Sequence, residues 1–431
     1  MNLESSKNIS LKTEVVAGLT TFFTMAYIIV VNPAILSGQG VGTGTGMAAS
    51  GVMTATVLLG FTMTLLMGLY AKLPFAVAPG MGLNAFFAFS IVMGRQVPWP
   101  AALGIIFWAG VLFLLVSLTP LRIAIANAIP AHLRHATAVG IGLFISFIGL
   151  KNAGFVVSDP VTFVKLGKFT PQTFLALSAL LIMYVLMKRK SPFAFLGGMA
   201  VMTLIGLLAG YVQWPGQVVS APDFDSVFLK LDLWGSLKLA YVPAMVSILF
   251  TDLFDSISTF IGVSYSAKML DESGQPLRLR EGLIVDAWAT LVAGLVGTSS
   301  GTAYIESAAG IQAGGRSGWT SVVTALCFLP FLFLSPLVQM VPAFATAPVL
   351  ILVGALMFRS LKELRITEPE DLIPSFFTVI LIPLTFSITQ GILWGFMAHA
   401  VLYVLAGRGR EVTKTMYALA VLSAVLLVIE H

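Results

Sequence analysis

Four acidic side chains stand in runs where acids are costly. Asp252, Asp255 and Glu306 fall inside apolar stretches, and Asp286 falls near the end of another. A charge at the centre of a bilayer costs about 2.5–3.5 kcal/mol on insertion scales, so such groups must be protonated, solvated or paired with a ligand. Asp252, Asp255, Ser256 and Thr259 occupy positions i, i+3, i+4 and i+7, which puts them on one side of a helix. The same spacing recurs in the first apolar run as Thr20, Phe23, Thr24 and Tyr27, with hydroxyls and rings but no charge. Carboxyl groups suit a neutral ring that offers N–H donors, or a cation. The runs that hold these acids contain no strong base, which disfavours a fixed anion as ligand. A carboxyl shielded from water can also take up and release a proton, so a coupling ion is available without a metal.

The elements that position these residues must lie in lipid. Apolar residues make up 58% of the 431 and charged residues only 10%, against roughly 25% charged in an average soluble protein. Too few charges remain to cover a soluble globule, which excludes a cytosolic enzyme, a disordered scaffold and a nucleic-acid partner. The net charge of +5 is spread along the chain and reads as topology marking, not as a polyanion patch. The single cysteine, Cys327, excludes a disulfide framework. No cofactor and no metal site are expected. His132, His135, His399 and His431 form no H-E-x-x-H motif, and His132 and His135 are expected at the membrane interface. There is no Walker A loop and no G-x-S-x-G paired with an intramembrane His.

About 20 apolar residues cross a bilayer. Ten full-length candidates run between 15 and 358, two short spans fit in 372–406, and a last run covers about 415–429. Segments 75–91 and 299–312 enter the membrane but are broken, giving near fourteen spans with the last region open by one. Lys7 and Lys12 precede the first span. With Lys72, Arg122, Arg134, Lys188–Lys190, Lys268, Arg278, Arg280, Arg359, Lys362, Arg365, Arg408, Arg410 and Lys414 they fall on one side, so the N-terminus is expected in the cytoplasm.

A weak internal echo organises these spans. Ile129-Pro130 and Ala136-Thr137-Ala138 match Val341-Pro342 and Ala345-Thr346-Ala347, with the two Ile/Val–Pro pairs 212 residues apart, and Asn84 and Glu306 stand 222 apart. With about seven crossings per half, the second copy is inverted. Inverted repeats with paired broken helices build midplane sites in secondary transporters. FAVAPGMGLNAFFAFSI (75–91) is interrupted by Pro79, Gly80 and Gly82, and GTSSGTAYIESAAGIQ (297–312) is its polar counterpart. Each is expected to be an extended stretch followed by a short helix, with both helix N-termini facing one acceptor-rich ligand.

With those residues in view, the chain resembles the adenine/guanine/hypoxanthine permeases, the azaguanine-resistance-like branch of the nucleobase–cation symporters, related to uracil and xanthine permeases. The matching stretches are GLTTFFTMAYIIVVNPAIL (18–36), APGMGLNAFFAF (78–89), AVGIGLFISFIGLKNAG (138–154), TDLFDSISTFIGV (251–263), GTSSGTAYIESAAGIQAGGRSG (297–318) and ATAPVLILVGALMF (345–358). The resemblance implies an all-α polytopic membrane protein with 14 segments in two inverted 7-segment repeats and short strands in segments 3 and 10. It implies a core domain (1–119 and 236–340) that moves against a gate domain (120–235 and 341–431). It further implies import of adenine, guanine and/or hypoxanthine by proton symport, with elevator-like alternating access, in the bacterial inner membrane; relatives include homodimers. Asp252, Glu306 and Asn84 are the implied purine ligands, with Phe23 and Thr24 from segment 1 and Asp255 joining Asp252 and Glu306 in proton coupling. Ser258 stands where a glycine is more usual in the family. The alternative is another small heterocycle or an anion carried on the same fold.

Overall fold

The computed structural model describes residues 10–38, 44–119, 125, 128–270, 276–364 and 366–430. Three of the topology markers, Lys7, Arg122 and Arg365, lie outside them, as does His431. Among the described residues, eight helical segments are long and apolar enough to cross a membrane, and shorter apolar helices stand between them.

The chain opens with α1 (Leu11–Met25) and α2 (Ile28–Leu36), separated by a turn at Ala26–Tyr27. Pro33 lies inside α2, where it removes the backbone donor that would bond the Ile29 carbonyl. Then come α3 (Ala49–Leu66), strand β1 (Val77–Pro79) and α4 (Met81–Ala85), which widens into a π-helix over Phe86–Gly94. After α5 (Trp99–Leu118) follow α6 (Ala131–Asn152), an exposed hairpin of β2 (Val156–Asp159) and β3 (Phe163–Leu166), α7 (Pro171–Lys188) and α8 (Ala194–Leu208). The second half repeats the order. It comprises α9 (Val242–Ala267), α10 (Leu279–Val296), strand β4 (Gly301–Ala303), α11 (Ser307–Gln312), α12 (Gly318–Phe328) and, after the short α13 (Ser335–Gln339), α14 (Ala343–Met357).

The halves are antiparallel copies. Helices α6 and α14 begin at 131 and 343, again 212 apart, each directly after a proline. They pack back to back through Gly142 and Gly354, residues that share this offset. A Cβ at Gly142 would stand 2.7 Å from the Gly354 carbonyl oxygen, and one at Gly354 2.3 Å from that of Gly142. Equivalent residues touch each other only where an approximate two-fold axis passes, so the axis runs between these helices.

The strands cross at the heart of the molecule. β1 and β4 pair antiparallel, with Val77 opposite Ala303, Ala78 opposite Thr302 and Pro79 opposite Gly301. Every residue of both strands is buried. In lipid no water can satisfy such backbone, so the protein must do it. The Val77 N–H donates to Thr64 Oγ1 and that hydroxyl returns a bond to the Val77 carbonyl, both at 2.9 Å. The Ala76 N–H donates to Ser307 Oγ at 3.0 Å, and Ser321 Oγ reaches the Leu73 and Phe75 carbonyls at 2.7 and 2.8 Å. Asn32 bridges the halves by donating to Thr56 and Thr298 at 2.7 and 2.8 Å. Glu14, 1% exposed, accepts the Arg316 and Thr320 N–H groups at 3.1 Å each and so caps α12.

Three helices close the chain. α15 (Pro369–Leu384) and α16 (Ile388–Leu405) form a tight antiparallel hairpin, and α17 (Lys414–Glu430) follows. The turn residue Phe386, φ 52°, packs edge-on against Phe144 and Phe147 of α6 at 5.5 Å. The hairpin therefore turns beside the body of α6 and does not reach past its end. The two short helices expected in 372–406 are present as the two arms of this hairpin, and α17 takes the place of the last apolar run.

Candidate functional site

The site has a rear wall and an open front. The rear wall is two hydrogen-bonded rungs between α9 and α10. Thr290 donates to Asp252 Oδ2, and four residues along each helix Ser256 donates to Asp286 Oδ2. Pairs at i and i+4 face the same way on a helix, so two antiparallel helices with Asp/Ser and Asp/Thr at that spacing zip together. Ser300, just before β4, donates to Asp252 at 2.6 Å and stands 2.8 Å from the Thr290 hydroxyl, while Thr302 shares a 3.1 Å bond with Ser256. Asp252 and Asp286 are both 0% exposed; the Asp286 carboxyl also takes the Ala303 N–H, whereas Asp252 Oδ1 has no protein partner. Asp252 thus keeps one unused oxygen inside the protein. An unpaired buried acceptor is expensive, so this oxygen is a place for a proton or a ligand's N–H.

The front is different. Asp255, one turn from Asp252, is exposed. Three residues turn a helix through about 300°, enough to carry Asp255 off the packed wall while Asp252 stays in it. Its electrostatic neighbour is Glu306, at the N-cap of α11. Glu306 is half-buried and accepts a 2.6 Å hydrogen bond from the Tyr27 hydroxyl. Tyr27 stands at the break between α1 and α2, where bonds from the Ile29 and Val30 N–H groups to the Ala26 and Tyr27 carbonyls tighten the turn, and its side chain reaches the opposite half. Ile305, beside Glu306, is 62% exposed, so this edge is open.

Of the residues expected from sequence, Asn84 and Asp252 meet the adjacent serines 299 and 300. Ser299 donates to the Asn84 carbonyl oxygen, as Ser300 does to Asp252. Asn84 is fully buried, and its amide nitrogen points at Met81 Sδ, 4.0 Å away. Glu306 and Asp255 share the front. Thr24 donates to the carbonyl of Thr20 within its own helix at 2.7 Å, and the Phe23 ring packs on Phe193 at 4.6 Å. The segment-1 hydroxyl that reaches the acids is Tyr27's. The expected convergence of two helix N-termini is unequal. α4 runs on through its π-helical extension, but α11 has six residues. Its early N–H groups are taken by turns, Ser307 to Tyr304, Ala308 to Ile305 and Ala309 to Glu306, at 3.1, 3.0 and 2.9 Å. The second segment therefore offers a carboxyl more than a dipole.

Sequence reasoning passed over Ser299, Ser300 and Thr290, and it put Asp286 near a span end. In the fold Asp286 is the eighth residue of α10, because that helix starts at Leu279. The signals were present as the hydroxyl run Thr298-Ser299-Ser300 and the i, i+4 pair Asp286/Thr290.

Paired broken segments at the crossing of two inverted halves, backed by buried acids, define a polytopic membrane transport protein. Residues 12–394 match the Permease family Xan_ur_permease, and the chain belongs to that family, which is one of transporters and not of enzymes. It is 41% identical over 412 residues to the adenine permease AdeP of Escherichia coli (strain K12), covering 95% of this chain and 91% of that one. It is 39% identical over 422 residues to the guanine/hypoxanthine permease PbuO of Bacillus subtilis (strain 168), covering 96% of each. Its fold matches the transmembrane domain of the cyanobacterium bicarbonate transporter BicA, with a TM-score of 0.66, 16% identity, and 89% of this chain and 97% of that chain covered.

Proposed function

We propose that this protein imports purine nucleobases, adenine, guanine and/or hypoxanthine, across the bacterial inner membrane by proton symport, with its N-terminus in the cytoplasm. The observation that carries this reading is Glu306, held by Tyr27 at the open edge of the strand crossing with Asp255 beside it. A carboxylate is acceptor-only, and a purine presents ring N–H and, in adenine and guanine, exocyclic amino donors along one edge. Two acids of this kind favour such a neutral donor-rich ring over the anion that a site of this fold could otherwise take. The names of the relatives agree, being adenine and guanine/hypoxanthine permeases.

In this reading Glu306 binds ring N–H, with Asp252 behind it through its unused oxygen. Asn84 complements the base edge, while Phe23 and Thr24 close the approach from segment 1. Protons on Asp255, Asp252 or Glu306 bias the access states, since a bound proton shifts only states that hold it with different affinity. The core (1–119 and 236–340), which carries the strand crossing, slides against the gate (120–235 and 341–431), built on the α6–α14 pair; the Phe23–Phe193 contact lies between the two.

Uptake of labelled adenine and hypoxanthine in cells lacking their own purine permeases tests this. Accumulation should collapse when a proton ionophore is added. Accumulation that ignores the ionophore but follows a sodium gradient removes the proton assignment. Competition by a purine panel tests the substrate class: no displacement by any purine removes it.

A further inference from the structure

A second cluster of ionisable groups lies away from the strand crossing, where the α15–α16 hairpin meets α6. His132 near the start of α6, Asp371 near the start of α15 and His399 in α16 each bring a ligand atom to within 4.8 Å of the other two. His132 Nδ1 lies 3.5 Å from Asp371 Oδ1. The imidazole rings stand 5.1 Å apart. His132 is 8% exposed and His399 3%, and each holds a buried nitrogen with no partner, Nε2 of His132 and Nδ1 of His399. Two orphaned imidazole nitrogens in one packed cluster are unusual, because buried polar atoms are nearly always bonded.

We propose that His132, His399 and Asp371 form a binding site for a divalent transition-metal ion of the zinc class, which staples the hairpin to α6. Two imidazoles and one carboxylate are a ligand set such ions take, with water filling the remaining position. Tetrahedral ligands at about 2.0–2.1 Å from zinc stand roughly 3.4 Å apart. The His132–Asp371 pair already meets that spacing through His132 Nδ1, and the other edges, at up to 4.8 Å, would have to close by up to about 1.4 Å on binding. An outer layer is in place. The Tyr403 hydroxyl donates to Asp371 Oδ1 at 2.6 Å, and its ring lies 4.3 Å from that of His399. Such partners orient metal ligands. Arg408, which stacks on Tyr403 at 5.0 Å, is neutralised by Glu370 and Glu411, at 2.7 and 2.6 Å, so it does not repel a cation. The site is separate from Asp252, Asp255 and Glu306, and it stands whether or not the substrate is a purine.

The test uses the full-length, tag-free protein in detergent, stripped with a chelator. Zinc chloride should raise the melting temperature by roughly 5 °C and bind as a single equivalent, since a ligand that binds only the folded state stabilises it; equal magnesium should do neither. His399→Gln and His132→Gln should each melt as a folded protein and lose the zinc shift, while His135→Gln keeps it. No zinc response in the wild type overturns the site. So does a response equalled by magnesium, one that survives His399→Gln, or one that His135→Gln also abolishes.

Discussion

The two broken segments make the same scaffold and opposite chemistry. In the first, β1 and the helix after it are apolar apart from buried Asn84, and the chain runs on through Phe86, Phe87 and Phe89. In the second, β4 is preceded by three hydroxyls and followed, three residues on, by Glu306. The acids Asp252, Asp255, Asp286 and Glu306 all belong to the second half, and the first half answers with Tyr27, Asn84 and backbone. Symmetry at the backbone level fixes where the crossing is; the asymmetry of side chains gives one half the ligands and the other the donors that hold them.

If that division is right, the largest effects come from the second half. Glu306→Gln and Asp252→Asn should each cut purine uptake by at least about 100-fold, while the protein remains in the membrane at normal abundance; wild-type uptake in either removes that residue from the site. Tyr27→Phe takes away one hydrogen bond to a carboxylate, worth about 1.5–3 kcal/mol. It should weaken apparent affinity about tenfold or more and leave maximal uptake closer to normal. Asn84→Ala tests the first half directly. It should cost less than Glu306→Gln, and an equal loss would mean that the two segments share the binding work.

Gly310→Ala probes position instead of chemistry. A Cβ there would stand 2.0 Å from Thr21 Oγ1 and 2.5 Å from the Ala17 carbonyl oxygen, so α11 would be pushed off α1. Overpacking of this sort costs about 1–3 kcal/mol. The melting temperature should drop by several degrees and the Tyr27–Glu306 contact should loosen, seen as weaker purine binding.

The smallest effect lies outside the membrane, in the β2–β3 hairpin. Lys165, 2.8 Å away, and the N–H groups of Thr162 and Val161 hold the exposed Asp159 carboxyl down to about 2. Because the folded value lies below the ordinary one, about 3.9, the stabilisation is present above pH 4 and is lost as pH falls from about 4 toward 2. Protection of the Val161 and Thr162 amides against hydrogen exchange should be flat from pH 7 to about 4.5 and decline below. Asp159→Asn should abolish that pH step without altering uptake.

Much of this was legible beforehand, and particular residues show why. Apolar runs of bilayer length are a one-dimensional signal, so the membrane class and the long spans could be read directly. Pro79-Gly80 and the polar 297–312 announced two interruptions, because neither can persist as a lipid-facing helix. The 212-residue echo reappeared as the Gly142–Gly354 contact at the axis. The role of Tyr27 was less legible. Thr24 and Phe23 stood in the same stripe, and it is Tyr27, at the turn between α1 and α2, that reaches across to Glu306. The packing of His132 against Asp371 and His399 was not legible for a similar reason. Its partners lie more than 200 residues along the chain, on a hairpin whose turn inside the bundle no hydropathy pattern marks.

The sequence by itself determined which segments enter lipid, where they must break, and which acids are too costly there to be incidental. Those are properties of composition and spacing, set by the cost of taking charge and bare backbone out of water. Only the tertiary structure decided how the acids divide their work: Asp252 and Asp286 against a wall of hydroxyls, Asp255 and Glu306 at the open edge. That division depends on how α9 is rotated against α10 and on which strand meets which. Rotation and pairing arise from contacts between residues tens to hundreds of positions apart, which no local pattern encodes.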